Sequence, residues 1–477
     1  MNKTQFELPE ERLATTDEKG HRVYLYPADV RGFFKKLRVP THALMIFIFL
    51  VLPWIKIGSH QAILLDIAHR KFAILGITFW AHDAPIIFFV LSLAAFGVAF
   101  ITALFGRLWC GWACPETVFV EGLYRKIERF IEGTPVERRA LDRSPWTTKK
   151  IVLKSLKWAA FLLVSLVLTH SFMAYFVGTE TLYQMIQSPP SRSPTAFLFM
   201  AASTALILIT FGWFREQFCI IVCPYGRLQS VLLDQDSLIV TYDEKRGEPR
   251  RRDPKHPDPN EGDCINCYRC VQVCPTGIDI RRGLQMECIA CTACIDACDE
   301  IMEKVHKPKG LIRYDTKRGL DGEKTKWLRP RVFVYLGILA LLFSAFTYVL
   351  KERQFVNIAI TRGKGNPFQS QKENPTVTNH FVADLSNHQF YPILITLKLP
   401  KDLVEVNATI TTRFQEIRIE PGKSEKVDFF IQFPKSVLKN GKLDTSLEIS
   451  SEGIKSQNTI QNAETQKSPL TLLGPFR

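Results

Sequence analysis

The C-terminal part of the sequence, residues 351–477, contains no cysteine, although the whole chain has twelve. It also lacks any metal-binding motif and any constellation of catalytic residues. Disulfides are thereby excluded from this segment, and a docking or stabilising role is favoured. Alternating apolar residues predict short strands at 393–399, 404–411, 414–420, 425–433 and 444–450, with a turn at Pro421-Gly422. This pattern predicts an all-β, immunoglobulin-like sandwich.

A cleavable signal peptide and repeated histidine pairs are also missing. The first apolar run starts only near position 41 and has no small-residue cleavage site. We therefore predict that it is a membrane anchor that is not cleaved. His42 and His170 lie near span ends, but no partner histidines recur at matching depth, so interfacial placement is favoured over haem ligation. The loop 56–84 has side chains that could bind a cation, although solvated polar residues are commoner there: His60, Asp66, His69, His82 and Asp83.

Five apolar runs are each near the length that crosses a bilayer as a helix, and the first is short and contains Pro53. They lie at about 41–55, 85–105, 156–177, 195–214 and 332–350. Lys and Arg alternate between the connecting segments, with 8 in 1–40, 3 in 56–84, 10 in 106–155, 1 in 178–194 and 21 in 215–331. Because basic residues flank spans on the cytoplasmic side, the N-terminus is predicted inside and the C-terminus outside. The net charge of +14 is thus explained mainly by basic residues that flank membrane spans on the cytoplasmic side, and nucleic-acid binding is not expected.

Eight cysteines form two runs with the spacing of a ferredoxin that holds two [4Fe–4S] clusters. Both runs read C-x2-C-x2-C-x3-C, followed by proline in the first and by Asp299 in the second. Since the fourth cysteine of such a run ligates the other cluster, the predicted ligand sets are Cys264, Cys267, Cys270 and Cys298, and Cys288, Cys291, Cys294 and Cys274. A disulfide cluster or zinc site is disfavoured, because zinc sites usually take two pairs of ligands. All twelve cysteines fall on the predicted cytoplasmic side or at its membrane edge, and a reducing compartment suits thiolates and iron–sulfur clusters.

The other four cysteines form two aromatic-C-x3-C-P motifs, which follow the second and fourth apolar runs. These are Cys110 with Cys114, and Cys219 with Cys223; Arg107 and Arg215 precede them. Each proline can open a helix, so the two halves look like an internal duplication. Residues four apart share a helical face, where two thiols suit Cu(I) or a redox-active dithiol. Inert buried thiols are the alternative, but the repetition favours a redox or metal role.

These signals predict a membrane α-helical bundle, an α+β ferredoxin-like domain and the β sandwich. The predicted boundaries are an N-terminal cytoplasmic segment 1–40, a four-span domain 41–233, a linker 234–262, a two-cluster domain 263–315, a fifth span 332–350 and an exported domain 351–477.

The order of these features resembles the cytochrome c oxidase accessory protein family known as FixG, RdxA or CcoG, over roughly 30–470. The segments Gly283–Asp299 and Lys309–Tyr314 carry the likeness most clearly. The membrane half also resembles quinol-dehydrogenase subunits of the NapH type, which lack the tail. One departure from the family is Ala81-His82-Asp83, where Pro-Gln-Asp is usual.

The resemblance implies a multi-pass protein of the bacterial inner membrane that supports assembly of cbb-type oxidases by reducing Cu(II) to Cu(I). It assigns the redox or copper site to Cys110, Cys114, Cys219 and Cys223, supplied with electrons by the eight ferredoxin cysteines. The implied partners are the bilayer, a cytoplasmic electron donor, and copper-delivery and oxidase-assembly proteins. The alternatives are a quinol-linked electron conduit and a non-enzymatic assembly scaffold with structural clusters.

Overall fold

A computed structural model describes residues 15–16, 19, 21–57, 60–67, 71–75, 77–80, 84–251, 259–351, 356–370, 376–387, 391–455 and 459–475. The α-helices are Phe33–Val51, Ala84–Phe105, Leu108–Trp112, Pro115–Phe119, Arg125–Glu132, Pro135–Arg143, Thr148–Val177, Thr179–Gln187, Pro194–Ile207, Pro224–Leu232, Glu244–Gly247, Arg269–Gln272, Ala293–Lys304, Lys317–Leu320, Pro330–Lys351 and Lys401–Glu405. The strands are Lys56–Ile57, His60–Gln61, Ile63–Asp66, Lys71–Ile74, Ile77–Trp80, Ile239–Tyr242, Ile312–Asp315, Val356–Arg362, Gln369–Ser370, Thr376–Asn387, Ile393–Lys398, Thr409–Thr412, Ile417–Ile419, Ser424–Pro434, Lys442–Lys455 and Thr459–Leu473. The chain divides into two units, residues 1–64 with 89–345, and residues 65–88 with 346–477.

Among the described residues, five helices are long and apolar enough to cross a membrane, in agreement with the five predicted apolar runs. They are Phe33–Trp54, Pro85–Phe105, Thr148–Val177, Pro194–Phe214 and Pro330–Lys351. The first begins eight residues before its apolar run because the chain continues as a helix through Pro40. The fourth ends in a π-helical stretch, Leu208–Phe214, and the segment Val120–Tyr124 is also a π-helical turn.

A buried ion-pair network is centred on Glu128, in the segment between the second and third spans. It links this segment to Lys157 of the third span and to Arg215 at the end of the fourth. The Glu128 side chain is 1% exposed, and its oxygens accept from Arg215 at 3.0 and 3.1 Å. Arg138 and Lys157 also pair with Glu128. Because a buried carboxylate needs such partners, the network fixes these helices relative to one another.

The iron–sulfur part of the first unit contains a strand from the predicted linker 234–262. Ile239–Tyr242 pairs antiparallel with Ile312–Asp315, on the far side of both cysteine runs in sequence. Val240 and Tyr242 are each 2% exposed and pack with Cys264, Cys270 and Cys288. The linker interpretation missed this strand because the charged residues that follow it dominate the local composition.

The described residues between 356 and 473 form two antiparallel sheets, as the predicted immunoglobulin-like sandwich requires. One sheet runs in the order Thr409–Thr412, Ser424–Pro434, Thr376–Asn387, Val356–Arg362; the other runs Ile417–Ile419, Ile393–Lys398, Lys442–Lys455, Thr459–Leu473. Alternate residues of these strands form one core, which includes Phe381, Ile395, Phe429 and Leu447.

The predicted strand at 404–411 is wrong in its first half. Lys401–Glu405 is a short helix that follows Pro400, and the strand starts only at Thr409. Leu403 is 3% exposed although it lies on a helical turn. Its apolar side chain matched the pattern expected for a strand, which explains the wrong prediction. The loop 56–84 is also more ordered than predicted, with a sheet formed by Ile63–Asp66, Lys71–Ile74 and Ile77–Trp80.

Candidate iron–sulfur and thiol sites

Two small cavities, each about 350 Å³ when the open space at the mouth is included, are lined by the eight ferredoxin-type cysteines. The first cavity is bordered by Cys264, Cys267, Cys270 and Cys298. The second is bordered by Cys274, Cys288, Cys291 and Cys294, with Cys270 at its edge. The structure therefore brings together the same two sets that the spacing predicts. The remaining lining is mostly apolar, which suits a shielded iron–sulfur cluster.

The backbone of both cysteine runs turns around its cavity in the same way. Asn266 and Tyr268 in the first run, and Ala290 and Thr292 in the second, have positive φ angles between 52° and 64°. These left-handed residues occupy equivalent positions in the two runs. A helix begins directly after Tyr268 in the first run and directly after Thr292 in the second. In the second run, Cys294 and Cys298 are one turn apart on Ala293–Lys304, and they line different cavities. The helix thus carries the fourth cysteine away from its own run.

Arg281 is a cation beside the first cavity that the spacing did not identify. Its guanidinium lies 4.1 Å from the centre of the Tyr268 ring, and it donates to Asp279 and to Asn266 at 2.7 and 2.6 Å. The residue is 4% exposed and lines the cavity. A buried positive charge here stabilises the negative charge of cysteine thiolates.

The four remaining cysteines are not paired on single helical faces, and that part of the prediction is wrong. Cys110 lies on Leu108–Trp112, but Cys114 is an extended N-cap of the next helix. Cys219 lies in the π-helical turn Phe218–Val222, and Cys223 is again an extended N-cap. The prolines after Cys114 and Cys223 open new helices as predicted, so each pair spans a helix boundary.

The two copies share one backbone hydrogen bond that sets this geometry. The Cys114 amide donates to the Trp109 carbonyl at 2.9 Å, and the Cys223 amide donates to the Phe218 carbonyl at 2.8 Å. In each copy the acceptor belongs to the aromatic residue that opens the motif. The structural match supports an internal duplication, which the sequence motif indicates.

The structure brings the two thiol pairs together. Gln229, on the helix after Cys223, donates from its amide to the Cys110 sulfur at 3.2 Å. Cys110 of the first copy and Cys219 of the second also pack against the same buried hydrophobic cluster. The four cysteines of the two motifs are called here the thiol cluster.

The thiol cluster packs against the second cavity's cysteine run. Cys110 and Cys219 contact a buried group that includes Ile289 and Cys291. A Cβ added to Gly111 would lie 2.5 Å from the Ala290 carbonyl oxygen, so only glycine allows this close approach. The helix that carries Cys110 therefore lies directly on the backbone of the cysteine run.

Several donors hold this contact, and sequence reasoning missed most of them. Arg107 donates to the carbonyls of Met286 and Cys288, and also to Gly226 at 2.9 Å in the second copy. Arg38 of the first span donates to the Cys291 carbonyl. Trp112 donates to the Tyr314 hydroxyl at 3.3 Å, and Tyr314 donates to the Ala290 carbonyl at 3.2 Å. Only the arginine before each C-x3-C-P motif was visible as a sequence signal.

Burial dominates the electrostatics of the thiol cluster. It raises the pKa of Cys110 to about 11, and it also raises the pKa values of Cys114 and Cys219. Burial, with the nearby Glu216 carboxylate second, raises the pKa of Glu116 to about 9. The raised pKa values keep the thiols of Cys110, Cys114 and Cys219 mainly uncharged at neutral pH when only protons compete for them.

Other candidate ligands do not gather into a single-ion site. Among the described residues, no three His, Cys, Asp or Glu side chains are arranged to hold one metal ion. Cysteines spaced around a cavity instead fit a cluster, in which four thiolates surround several irons. His170 contacts its own helix at the Leu166 carbonyl, whereas His69, His82 and Asp83 lie outside the described residues.

Three family models match separate parts of the chain. A 4Fe–4S binding domain matches residues 86–133, and a 4Fe–4S dicluster domain matches residues 214–317. The model for the IG-like fold at the C-terminus of FixG matches residues 346–474. The first two matches include the C-x3-C-P motifs as well as the eight ferredoxin-type cysteines.

Relatives match across most of the sequence. Protein RdxA of Cereibacter sphaeroides is 34% identical over 380 residues, which are 77% of this chain and 80% of RdxA. Nitrogen fixation protein FixG of Rhizobium meliloti is 32% identical over 456 residues, or 86% of each chain. A crystal structure of a FixG-related protein from Vibrio parahaemolyticus covers 25% of this chain and 97% of its own, at 14% identity and a TM-score of 0.18. That structural match is too weak to add to the sequence relationship.

Proposed function

The chain belongs to the family that includes FixG and RdxA, and we propose that this iron–sulfur electron-transfer protein reduces Cu(II) to Cu(I) for assembly of cbb-type oxidases. The observation that carries the proposal is the docking of the thiol cluster on the backbone of Ile289–Cys291. Thiols are the ligands that Cu(I) prefers, and thiols that contact a cluster-binding loop would allow electron delivery to bound copper.

Two [4Fe–4S] clusters are assigned to the two cysteine-lined cavities. One is held by Cys264, Cys267, Cys270 and Cys298, the other by Cys274, Cys288, Cys291 and Cys294. When bound, the clusters supply one electron at a time. Arg281 stabilises the thiolates of the first set, and Arg107 and Arg38 position the run that holds the second.

Copper is the substrate at the thiol cluster. Cu(II) gains one electron to become Cu(I), and thiolates retain the softer product. The thiols release their protons as the metal binds, because only the thiolate is a ligand. Burial disfavours the free thiolate of Cys110, so a bound cation replaces the proton rather than adding to existing charge.

The proposed orientation places the N-terminus and the iron–sulfur domain in the cytoplasm and the C-terminal domain in the periplasm. Its support is the distribution of Lys and Arg, which is richest in 106–155 and 215–331. An electron donor would then act from the cytoplasm, and copper-delivery or oxidase-assembly proteins would meet the chain at the membrane or beyond it.

The test is to reduce the purified protein without oxygen and to mix it separately with Cu(II) and with a quinone analogue. The visible absorption of the clusters reports their reoxidation, and a Cu(I)-specific chelator reports the product. Faster reoxidation by Cu(II), with one Cu(I) formed per electron lost, supports the proposal. Rapid reoxidation by the quinone analogue alone would refute it in favour of a quinol-linked conduit.

A further inference from the structure

A further cavity, larger than the two that the cysteines line, lies where the first span begins, next to the cluster domain. Its volume is about 1020 Å³, including its open mouth. The wall combines the segment before the first span, the start of that span, the helices between the second and third spans, and residues near Cys291. No step of copper reduction uses this space, which is called here the basic cavity.

The basic cavity is lined by many more cations than anions. The cationic side chains are Lys35, Arg38, Arg125, Lys126, Arg129 and Arg138, and the carboxylates are Asp29 and Glu121. Glu121 is shared among Lys35, Arg38 and Arg125 at 3.6, 3.3 and 2.7 Å. One carboxylate therefore serves three cations. Arg125 also pairs with Glu216, Arg129 with Asp29 and Arg138 with Glu128, and the wall itself holds six cations against two carboxylates.

Buried nitrogens of the lining residues have no hydrogen-bond partner among the described residues. They are His42 Nε2, Arg125 Nε and Arg138 Nε, and His42 is only 4% exposed. Leaving buried polar groups unsatisfied is costly, and such groups normally have a partner. These three nitrogens are closed off from solvent, so a ligand in the cavity would stabilise the two arginines through its negative charge rather than by contact with these atoms.

The chemistry of this wall selects a phosphate group. Arginine forks bind phosphate oxygens in a bidentate way, and basic pockets beside membrane helices hold lipid headgroups. We propose that the basic cavity binds the phosphate of an anionic ligand at the membrane edge. A phospholipid headgroup and a soluble phosphate compound share this chemistry. The proposal does not depend on copper reduction, because none of the four thiols lines the cavity, although Cys291 and Arg38 beside the second cluster site do.

The test uses full-length protein in phosphatidylcholine nanodiscs. Phosphatidylglycerol is added in one arm, and inorganic phosphate or flavin mononucleotide in the other. Ligand-dependent rise of the thermal unfolding midpoint gives an apparent affinity, and native mass spectrometry detects retained lipid. The cavity variant Lys35→Gln with Lys126→Gln is compared with Lys36→Gln with Lys149→Gln, whose exposed lysines lie outside the cavity wall.

The wild type and the control variant should be stabilised, whereas the cavity variant should bind on the order of tenfold more weakly, as expected for lost charged hydrogen bonds. A response to phosphatidylglycerol alone identifies a headgroup; a response to the soluble probes identifies a free phosphate. Both support the site. No stabilisation of the wild type by any probe, or equal loss in both variants, would overturn it. Unchanged cluster absorption shows that each variant is folded.

Discussion

At the scale of single residues, the thiol cluster is positioned by groups that carry no redox chemistry. Arg107 donates to three carbonyls: Met286 just before the second cysteine run, Cys288 at its start, and Gly226 in the second C-x3-C-P copy. Gly111 has no side chain, and this allows the helix that carries Cys110 to lie directly on the backbone of that run. Close backbone approach and a buried guanidinium together keep the two sites in contact, since a carbonyl needs a donor when it leaves water.

Replacing Gly111 by alanine tests this contact directly. The new Cβ would lie 2.5 Å from the Ala290 oxygen, so backbone must move, and overpacking of this kind costs about 1–3 kcal/mol. We expect slower copper reduction and a lower midpoint of thermal unfolding. Gly97→Ala is the matched control, because a Cβ there meets nothing within 4 Å. Equal behaviour of the two variants would contradict a tight docking at Gly111.

At the scale of elements, the sequence predicts those features whose signal is local. The five spans follow from apolar length, and the helices after Cys114 and Cys223 follow from Pro115 and Pro224. The strand Ile239–Tyr242 was missed because its partner lies beyond both cysteine runs, and a short strand gains stability only from such pairing. Convergence of the two thiol pairs was also invisible, since it depends on Gln229 and on packing between distant segments.

The ion-pair network around Glu128 should make the membrane domain sensitive to acid. Burial opposes ionisation, but Arg215, Arg138 and Lys157 hold the pKa of Glu128 well below its usual range. A carboxyl with a lowered folded pKa contributes stability above its unfolded pKa, about 4.3, and that stability is lost as the pH falls towards the folded pKa. Thermal unfolding in detergent between neutral pH and pH about 3 measures this loss.

Glu128→Gln should remove about 3–5 kcal/mol at neutral pH, because it leaves buried cations unpaired. The variant should also lose part of the acid dependence. Asp321→Asn, in the exposed pair with Lys245, should cost about 0–1 kcal/mol. If both variants unfold at the wild-type midpoint, the network does not hold the helices together.

At the scale of the whole molecule, three kinds of domain follow one another in a chain with five apolar helices. The iron–sulfur part lies between the fourth and fifth helices, and the immunoglobulin-like part follows the fifth. If each helix crosses the bilayer, these two parts lie on opposite sides of the membrane. Such a layout would let electrons enter on one side while the β domain meets partners on the other.

The proposed orientation can be measured with a reporter that is active only outside the cytoplasm. Fused after Arg477 it should be active, and fused near Pro254 it should be silent, because basic residues retain the second region in the cytoplasm. The reverse pattern would remove the proposed cytoplasmic entry of electrons.

The most direct test of the central claim is the variant with serine at Cys110, Cys114, Cys219 and Cys223. These thiols line neither cavity that the eight other cysteines surround, so the cluster spectra should match the wild type. Cys267→Ser, which alters the first cavity, is the comparison in which the cluster spectrum should change. After anaerobic reduction, Cu(I) formation by the quadruple variant should fall to near background, since no soft ligands remain at the docked site. Wild-type clusters together with a wild-type rate of Cu(II) reduction would contradict the thiol cluster as the outlet for electrons.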